Sequence, residues 1–120
     1  MDKLLAGCRI LVIEDEMLIL MMIEAMLTDL GCESVSAAAT VDQAVALIEG
    51  QVFDAAILDV NLKGRTSGLV ADALAMRGVP FFFSTGNGGQ PMLGYDDRAV
   101  LRKPFKYEDL TAALTGILRT

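Results

Sequence analysis

Apolar residues gather in five runs of strand length, at positions 10–13, 34–38, 55–60, 80–84 and 99–102. Between most of them the spacing changes to a helical one, which predicts alternating β and α elements in a single α/β domain. The first helix is expected from about Glu16 to Leu30, stopped by Gly31. The second opens on Thr40-Val41-Asp42-Gln43, a capping-box pattern whose hydroxyl satisfies a first-turn amide. It carries Val41, Ala44, Val45 and Ile48 inward and takes Gly50 as its stop. A third helix should occupy roughly Ser67 to Arg77, before Gly78. The last should run from Tyr107 to Arg119 with Leu110, Leu114, Ile117 and Leu118 on one face.

Two stretches break the regular pattern. In the first helix Ile19, Ile23, Met26, Leu27 and Leu30 form one inward stripe, yet Met17, Leu18 and Met21 fall on roughly the opposite side at about 100° per residue. Such extra hydrophobes are either covered by neighbouring loops or form an adaptable, Met-rich docking surface. The other stretch, Gly86-Asn87-Gly88-Gly89-Gln90-Pro91-Met92-Leu93-Gly94, carries four glycines and a proline in nine positions. Inside a helix Gly costs about 1 kcal/mol and Pro about 3 kcal/mol, so a loop or a single short turn is expected over 86–98. That side of the sheet should then be less covered.

Composition narrows the function classes. At 120 residues, 53% of them hydrophobic, the chain suits one domain with one core. A net charge of -6 opposes direct nucleic-acid binding, which needs clustered Lys and Arg, so protein partners are expected. Cys8 and Cys32 lack CxxC spacing and the chain has no His, so two reduced, packed thiols and a cytoplasmic location are the expectation. Lys3 and Arg9 around Leu4-Leu5-Ala6 are too little for a signal peptide. The longest apolar run, Met17 to Ile23, is too short for membrane insertion.

Candidate chemistry sits where the apolar runs end. Ile10-Leu11-Val12-Ile13 leads into Glu14-Asp15-Glu16, Ala55-Ala56-Ile57-Leu58 into Asp59, Phe81-Phe82-Phe83 into Ser84-Thr85-Gly86, and Val100-Leu101-Arg102 into Lys103-Pro104. If these are neighbouring parallel strands, their C-terminal ends share one sheet edge, and an acidic pair, a lone carboxylate, a hydroxyl and an ammonium converge. Taken singly, each is also ordinary strand-end or turn chemistry. Three carboxylates within about 5 Å would repel by about 3 kcal/mol per pair at an effective dielectric near 20. A divalent cation relieves that repulsion, and with only oxygen ligands Mg²⁺ is the natural choice. Lys103 and Thr85 would add a point charge and a hydroxyl to phosphoryl oxygens.

At these residues the chain resembles a response-regulator receiver domain, through "ILVIEDE", "AAILDVNLKG", "FFFSTG" and "LRKPF", over essentially its whole length. The resemblance implies a doubly wound, five-stranded parallel sheet of flavodoxin-like order 2-1-3-4-5. It implies residues 1–120 as one receiver domain with no output domain. It also implies Asp59 as phosphoacceptor, Asp15 as direct Mg²⁺ ligand, Glu14 holding metal-bound water and the Asn61 carbonyl on the metal, with Thr85 and Lys103 sensing the phosphoryl group. Gly86, Val100 and Pro104 would belong to the switch region, with a cis Lys103-Pro104 bond, and Met17, Leu18 and Met21 to the partner surface. The implied activity is that of a stand-alone regulator. It would be phosphorylated in trans by a histidine kinase or histidine phosphotransfer protein, then act on a downstream protein or serve as a phosphate sink.

Departures from the pattern matter as well. Val100 stands where the family commonly has Tyr or Phe, so the usual ring swing toward Thr85 cannot operate unchanged, and Lys63 stands where proline is common. Phe83-Ser84-Thr85-Gly86 with its glycine-rich continuation resembles the FAT GUY branch of alphaproteobacterial receivers, which implies a fourth helix that is short or absent. The competing expectations are a degenerate receiver acting as a constitutive binding module, or a phosphatase with an Asp nucleophile. Phosphatases of the haloacid-dehalogenase kind carry a second acid two residues after the nucleophile, where this chain has Asn61. Flavin binding, open on fold grounds alone, is opposed by the acids at the strand ends.

Overall fold

The computed structural model describes residues 4–62, 65–86, 94–95 and 97–118. The elements run β1 (Arg9–Ile13), α1 (Met17–Asp29), β2 (Ser34–Ala38), α2 (Val41–Gly50), β3 (Ala55–Asp59), β4 (Asn61–Leu62), β5 (Arg65–Thr66), α3 (Gly68–Met76), β6 (Phe81–Thr85), β7 (Val100–Arg102) and α4 (Tyr107–Leu118). Five strands form a parallel sheet in order β2-β1-β3-β6-β7, while β4 and β5 make a separate two-residue antiparallel ribbon. Counting the five main strands in chain order, this is the expected 2-1-3-4-5.

Strand alternation divides the core into two layers. Leu11, Ile13, Ala56, Leu58, Phe81 and Phe83 pack with Val41, Ala44 and Ile48 of α2 and Val70, Ala71 and Leu74 of α3. Ile10, Val12, Ala55, Ile57 and Phe82 face the other way, against Ile23 and Leu27 of α1 and Leu110 and Leu114 of α4. A strand buried on both faces reads as a continuous apolar run, which is why β3 and β6 are so plain in the sequence. Each buried Leu, Ile or Phe in these layers contributes about 1.5–3 kcal/mol.

Local signals act largely as expected. The Thr40 side chain accepts from the Gln43 amide at 3.1 Å, and the Gln43 side chain in turn accepts from the Ala39 amide at 2.9 Å. Gly31, at φ 89°, takes the left-handed turn after α1, and Gly78, at φ 69°, does so after α3. Gly50 is not the stop of α2: it is the last helical residue, and the chain leaves the helix through extended Gln51. The last helix ends at Leu118, Arg119 lying outside the described residues.

The glycine-rich expectation falls partly on residues 87–93 and 96, outside the described residues, as does Lys63. Among the described residues between β6 and β7 there is no helix, but the sheet face is not left bare. Tyr95 packs against Phe81 and Phe83 with ring centroids at 5.7 and 6.3 Å, and the Arg98 guanidinium stacks 4.3 Å over the Phe81 ring. The Tyr95 hydroxyl donates to Asp72 on α3 at 2.5 Å. Among the described residues a ring, a cation and one tie to α3 thus cover this part of the sheet face.

Candidate functional site

Strand order reverses at β1 and β3, so a crevice opens beyond their carboxyl ends, the general ligand position of open α/β sheets. Alternation continues the α1/α4 face of four strands past their last apolar residue: Val12 to Glu14, Ile57 to Asp59, Phe82 to Ser84 and Leu101 to Lys103. Backbone anchors hold these ends in place. The Val60 amide donates to the Ser84 carbonyl at 3.0 Å, the buried Ser67 hydroxyl donates to the Val60 carbonyl at 3.0 Å, and the Lys103 amide donates to the Thr85 carbonyl at 2.7 Å.

Carboxylate oxygens of Glu14, Asp15 and Asp59 all lie within 4.8 Å of one another. Glu14 and Asp59 are buried and Asp15 half-buried. The Lys103 ammonium donates to both Glu14 oxygens at 3.0 and 3.1 Å, to Glu16 Oε1 at 3.1 Å and to Asp59 Oδ2 at 3.1 Å. Glu14 Oε2 also accepts the Glu16 amide at 3.1 Å, beside the positive end of α1. Burial pushes the Glu14 carboxyl up to about 7. Hydrogen bonds from Lys103 and the Glu16 amide oppose the rise, and the Asp59 charge adds to it. Burial works against the Lys103 charge, but hydrogen bonds to Glu14 and Asp59 outweigh it and its pKa is raised.

Four carboxylates around one ammonium leave the crevice with excess negative charge, and its donors are hard oxygens without nitrogen or sulfur ligands among the described residues. That donor set fits Mg²⁺. Asn61 lies two residues beyond Asp59, in β4, its backbone paired with Thr66.

The other expected site residues fall around this cluster. Thr85 is buried at the end of β6. Gly86 lies against the Lys103 stem, where an added Cβ would make ordinary contact at 3.8 Å. The Lys103-Pro104 bond is cis. Pro104 joins Glu16, Ile19, Gly86 and Lys103 around a recess of about 380 Å³. Val100 is half-buried opposite Phe83 in the ladder. On α1, Met17, Leu18 and Met21 are 66%, 81% and 56% exposed.

Two participants escaped sequence reasoning. Glu16 belonged to the acidic triplet, but its pairing with Lys103 spans 87 positions and has no local signal. Ser84 is 1% exposed, yet its hydroxyl has no hydrogen-bond partner among the described residues, an arrangement that costs about 1–3 kcal/mol. Sequence reading named it only as a member of the Ser84-Thr85-Gly86 run after the phenylalanines, with no local sign that its hydroxyl is left unpaired. Cys8 and Cys32 are free thiols, and no helix among the described residues is long and apolar enough to cross a membrane.

The family model for the response regulator receiver domain matches residues 10–115. The solution structure of SdrG from Sphingomonas melonis Fr1 is 44% identical, with a TM-score of 0.85 over 93% of this chain and 97% of that one. The receiver domain of sensor histidine kinase PA1611 from Pseudomonas aeruginosa PAO1, solved with a magnesium ion coordinated in its active site cleft, is 30% identical. Its TM-score is 0.80 over 94% of this chain and 98% of that one. Transcriptional regulatory protein TcrA of Mycobacterium tuberculosis is 34% identical over 95% of this chain, which spans about half, 47%, of TcrA's length.

Proposed function

The chain belongs to the response regulator receiver domain family of two-component signalling, and from that premise we propose that Asp59 accepts a phosphoryl group from a phosphohistidine on a separate histidine kinase or phosphotransfer protein. The observation that carries this is the convergence of Glu14, Asp15 and Asp59 oxygens within 4.8 Å, with Lys103 on Asp59. Lone strand-end acids have no need of that geometry; a metal-assisted phosphoacceptor does.

In this mechanism an Asp59 oxygen attacks phosphorus in line, and the donor imidazole leaves with the bonding electrons. Asp15 and Asp59, with the Asn61 carbonyl, would hold Mg²⁺ directly, and Glu14 would hold it through water. When bound, Mg²⁺ supplies charge neutralisation for the approach of one anion to another. Lys103 then exchanges carboxylate partners for a phosphoryl oxygen, and the Thr85 hydroxyl takes another, so both residues report whether Asp59 is modified. Receiver domains are signalling domains rather than general enzymes, and the chemistry here is one phosphoryl uptake followed by slow loss to water.

Kinase or phosphotransfer partners dock on the exposed Met17, Leu18 and Met21 face and the adjoining recess at Ile19 and Pro104. The output of the domain is then a changed protein contact or the removal of phosphoryl groups as a phosphate sink. Incubation with acetyl phosphate plus Mg²⁺, with an EDTA control, followed by intact-mass measurement, tests the assignment. We expect one phosphoryl group on the parent chain and none on Asp59→Asn or with EDTA. A parent chain that stays unmodified would instead make it a constitutive binding module.

A further inference from the structure

Ser84 is the one buried side-chain hydroxyl of the α1/α4 layer that remains unpartnered among the described residues, and it stands directly beside the acid cluster. In the β3–β6 ladder its register partner is Asp59 itself. Aligned residues of neighbouring parallel strands project to the same side, so the hydroxyl and the carboxylate share the face on which Glu14 and Lys103 also lie. Asp59 Oδ2 is held in the resting chain by Lys103. A donor left idle next to a carboxylate already engaged by a cation is a donor available once that cation moves away.

Resting on the phosphoacceptor reading of Asp59, we propose that Ser84 is a positioning residue that sets the lifetime of the phosphorylated state. It does so by donating a hydrogen bond to the Asp59 carboxyl oxygen as that oxygen becomes the leaving group. In the hydrolytic step a water oxygen bonds to phosphorus and the bond from phosphorus to the Asp59 oxygen breaks. The electron pair of that bond returns to the carboxylate, and the water's proton stays with the released phosphate. In a loose transition state negative charge grows on the departing carboxylate, so a donor aimed at it speeds departure. Ser84 therefore shortens the signal.

The test compares the parent chain, Ser84→Ala and Ser84→Thr, each labelled with acetyl phosphate and Mg²⁺ and followed by intact mass as the label decays. Melting temperature is measured alongside. Ser84→Ala should retain label about three to ten times longer, the rate equivalent of one net hydrogen bond. It should melt no lower than the parent, since it deletes an unpaired buried hydroxyl. Ser84→Thr, which keeps the hydroxyl, should restore the short lifetime. A Ser84→Ala lifetime equal to the parent's would overturn the proposal, as would a melting temperature several degrees lower, which would reveal a structural partner for the hydroxyl. Failure of the parent chain to take label on Asp59 would instead defeat the phosphoacceptor reading, and this inference with it.

Discussion

Lys103 Nζ lies 3.1 Å from Asp59 Oδ2 with only 5% and 6% of the two side chains exposed, so the resting chain keeps its assigned phosphoacceptor paired with a cation. The same ammonium also binds Glu14 and Glu16. In the proposed mechanism it must release carboxylates before it can meet a phosphoryl group. Removing it leaves desolvated acids facing one another. Lys103→Met should lose about 3 kcal/mol of stability without metal at pH 8, within the range for breaking a buried pair. Mg²⁺ at ten times its dissociation constant should return about 1.4 kcal/mol. Melting curves with and without Mg²⁺ check this, and a variant as stable as the parent in EDTA would show that Lys103 is not the compensating charge.

Glu14 gives the site a pH dependence. Its folded pKa of about 7 exceeds the ordinary carboxylate value of 4.5, because burial disfavours the charged form. Between these values the folded chain holds a proton that the unfolded chain has released, so this group's contribution to stability falls as pH rises from about 4.5 to about 7. Over that window the loss is at most about 3 kcal/mol, at 1.36 kcal/mol per pKa unit. Metal competes with the same proton, so Mg²⁺ affinity should rise over the same pH range. Denaturant unfolding in EDTA should show the slope in the parent and not in Glu14→Gln; identical slopes in both would remove Glu14 as its source.

How much of this was legible in the sequence depended on whether the relevant force was local. The strands at Ile10–Ile13 and Ala55–Leu58 are buried on both faces, so their composition announced them, and the parallel order brought their terminal acids together. Thr40 and Gln43 cap within three residues of each other, and the pattern was plain. The Tyr95–Arg98 cover over Phe81 was not, because one ring and one cation in a glycine-rich stretch have no periodicity. Gly50 misled for a related reason: glycine marks a helix stop when it adopts a left-handed turn, and here the chain exits through extended Gln51 instead. Glu16 and Ser84 acquired significance only from what lies across the fold.

The proposed docking on α1 can be tested separately from folding. Met21 is 56% exposed on the helix face turned away from the core, so charge there should not disturb packing. Met21→Glu should change unfolding free energy by less than about 0.5 kcal/mol. It should weaken binding to a cognate kinase or phosphotransfer protein by about 2 kcal/mol if the residue is a hot spot. Calorimetric titration and thermal melts on the same preparation provide both numbers, and unimpaired binding would move the partner surface elsewhere.

Val100 has no ring to follow Thr85, so in the proposed mechanism the read-out uses what surrounds it. Thr85 is tied to Lys103 through its carbonyl, and Gly86 follows directly against the Lys103 stem. A shift of Lys103 toward a phosphoryl group therefore passes into the start of the 86–98 segment. At its far end the segment is held by Tyr95 on Phe83 and Asp72, and by Arg98 on Phe81. The glycines of this segment give it backbone conformations barred to other residues at low steric cost. Amide exchange on the beryllofluoride form should accordingly differ most from the free chain within residues 86–98. Tyr95→Ala should reduce that difference and lower stability by about 1–3 kcal/mol through the lost ring contacts. Exchange changes confined to α1, with 86–98 alike in both forms, would place the switch at the partner helix rather than in this segment.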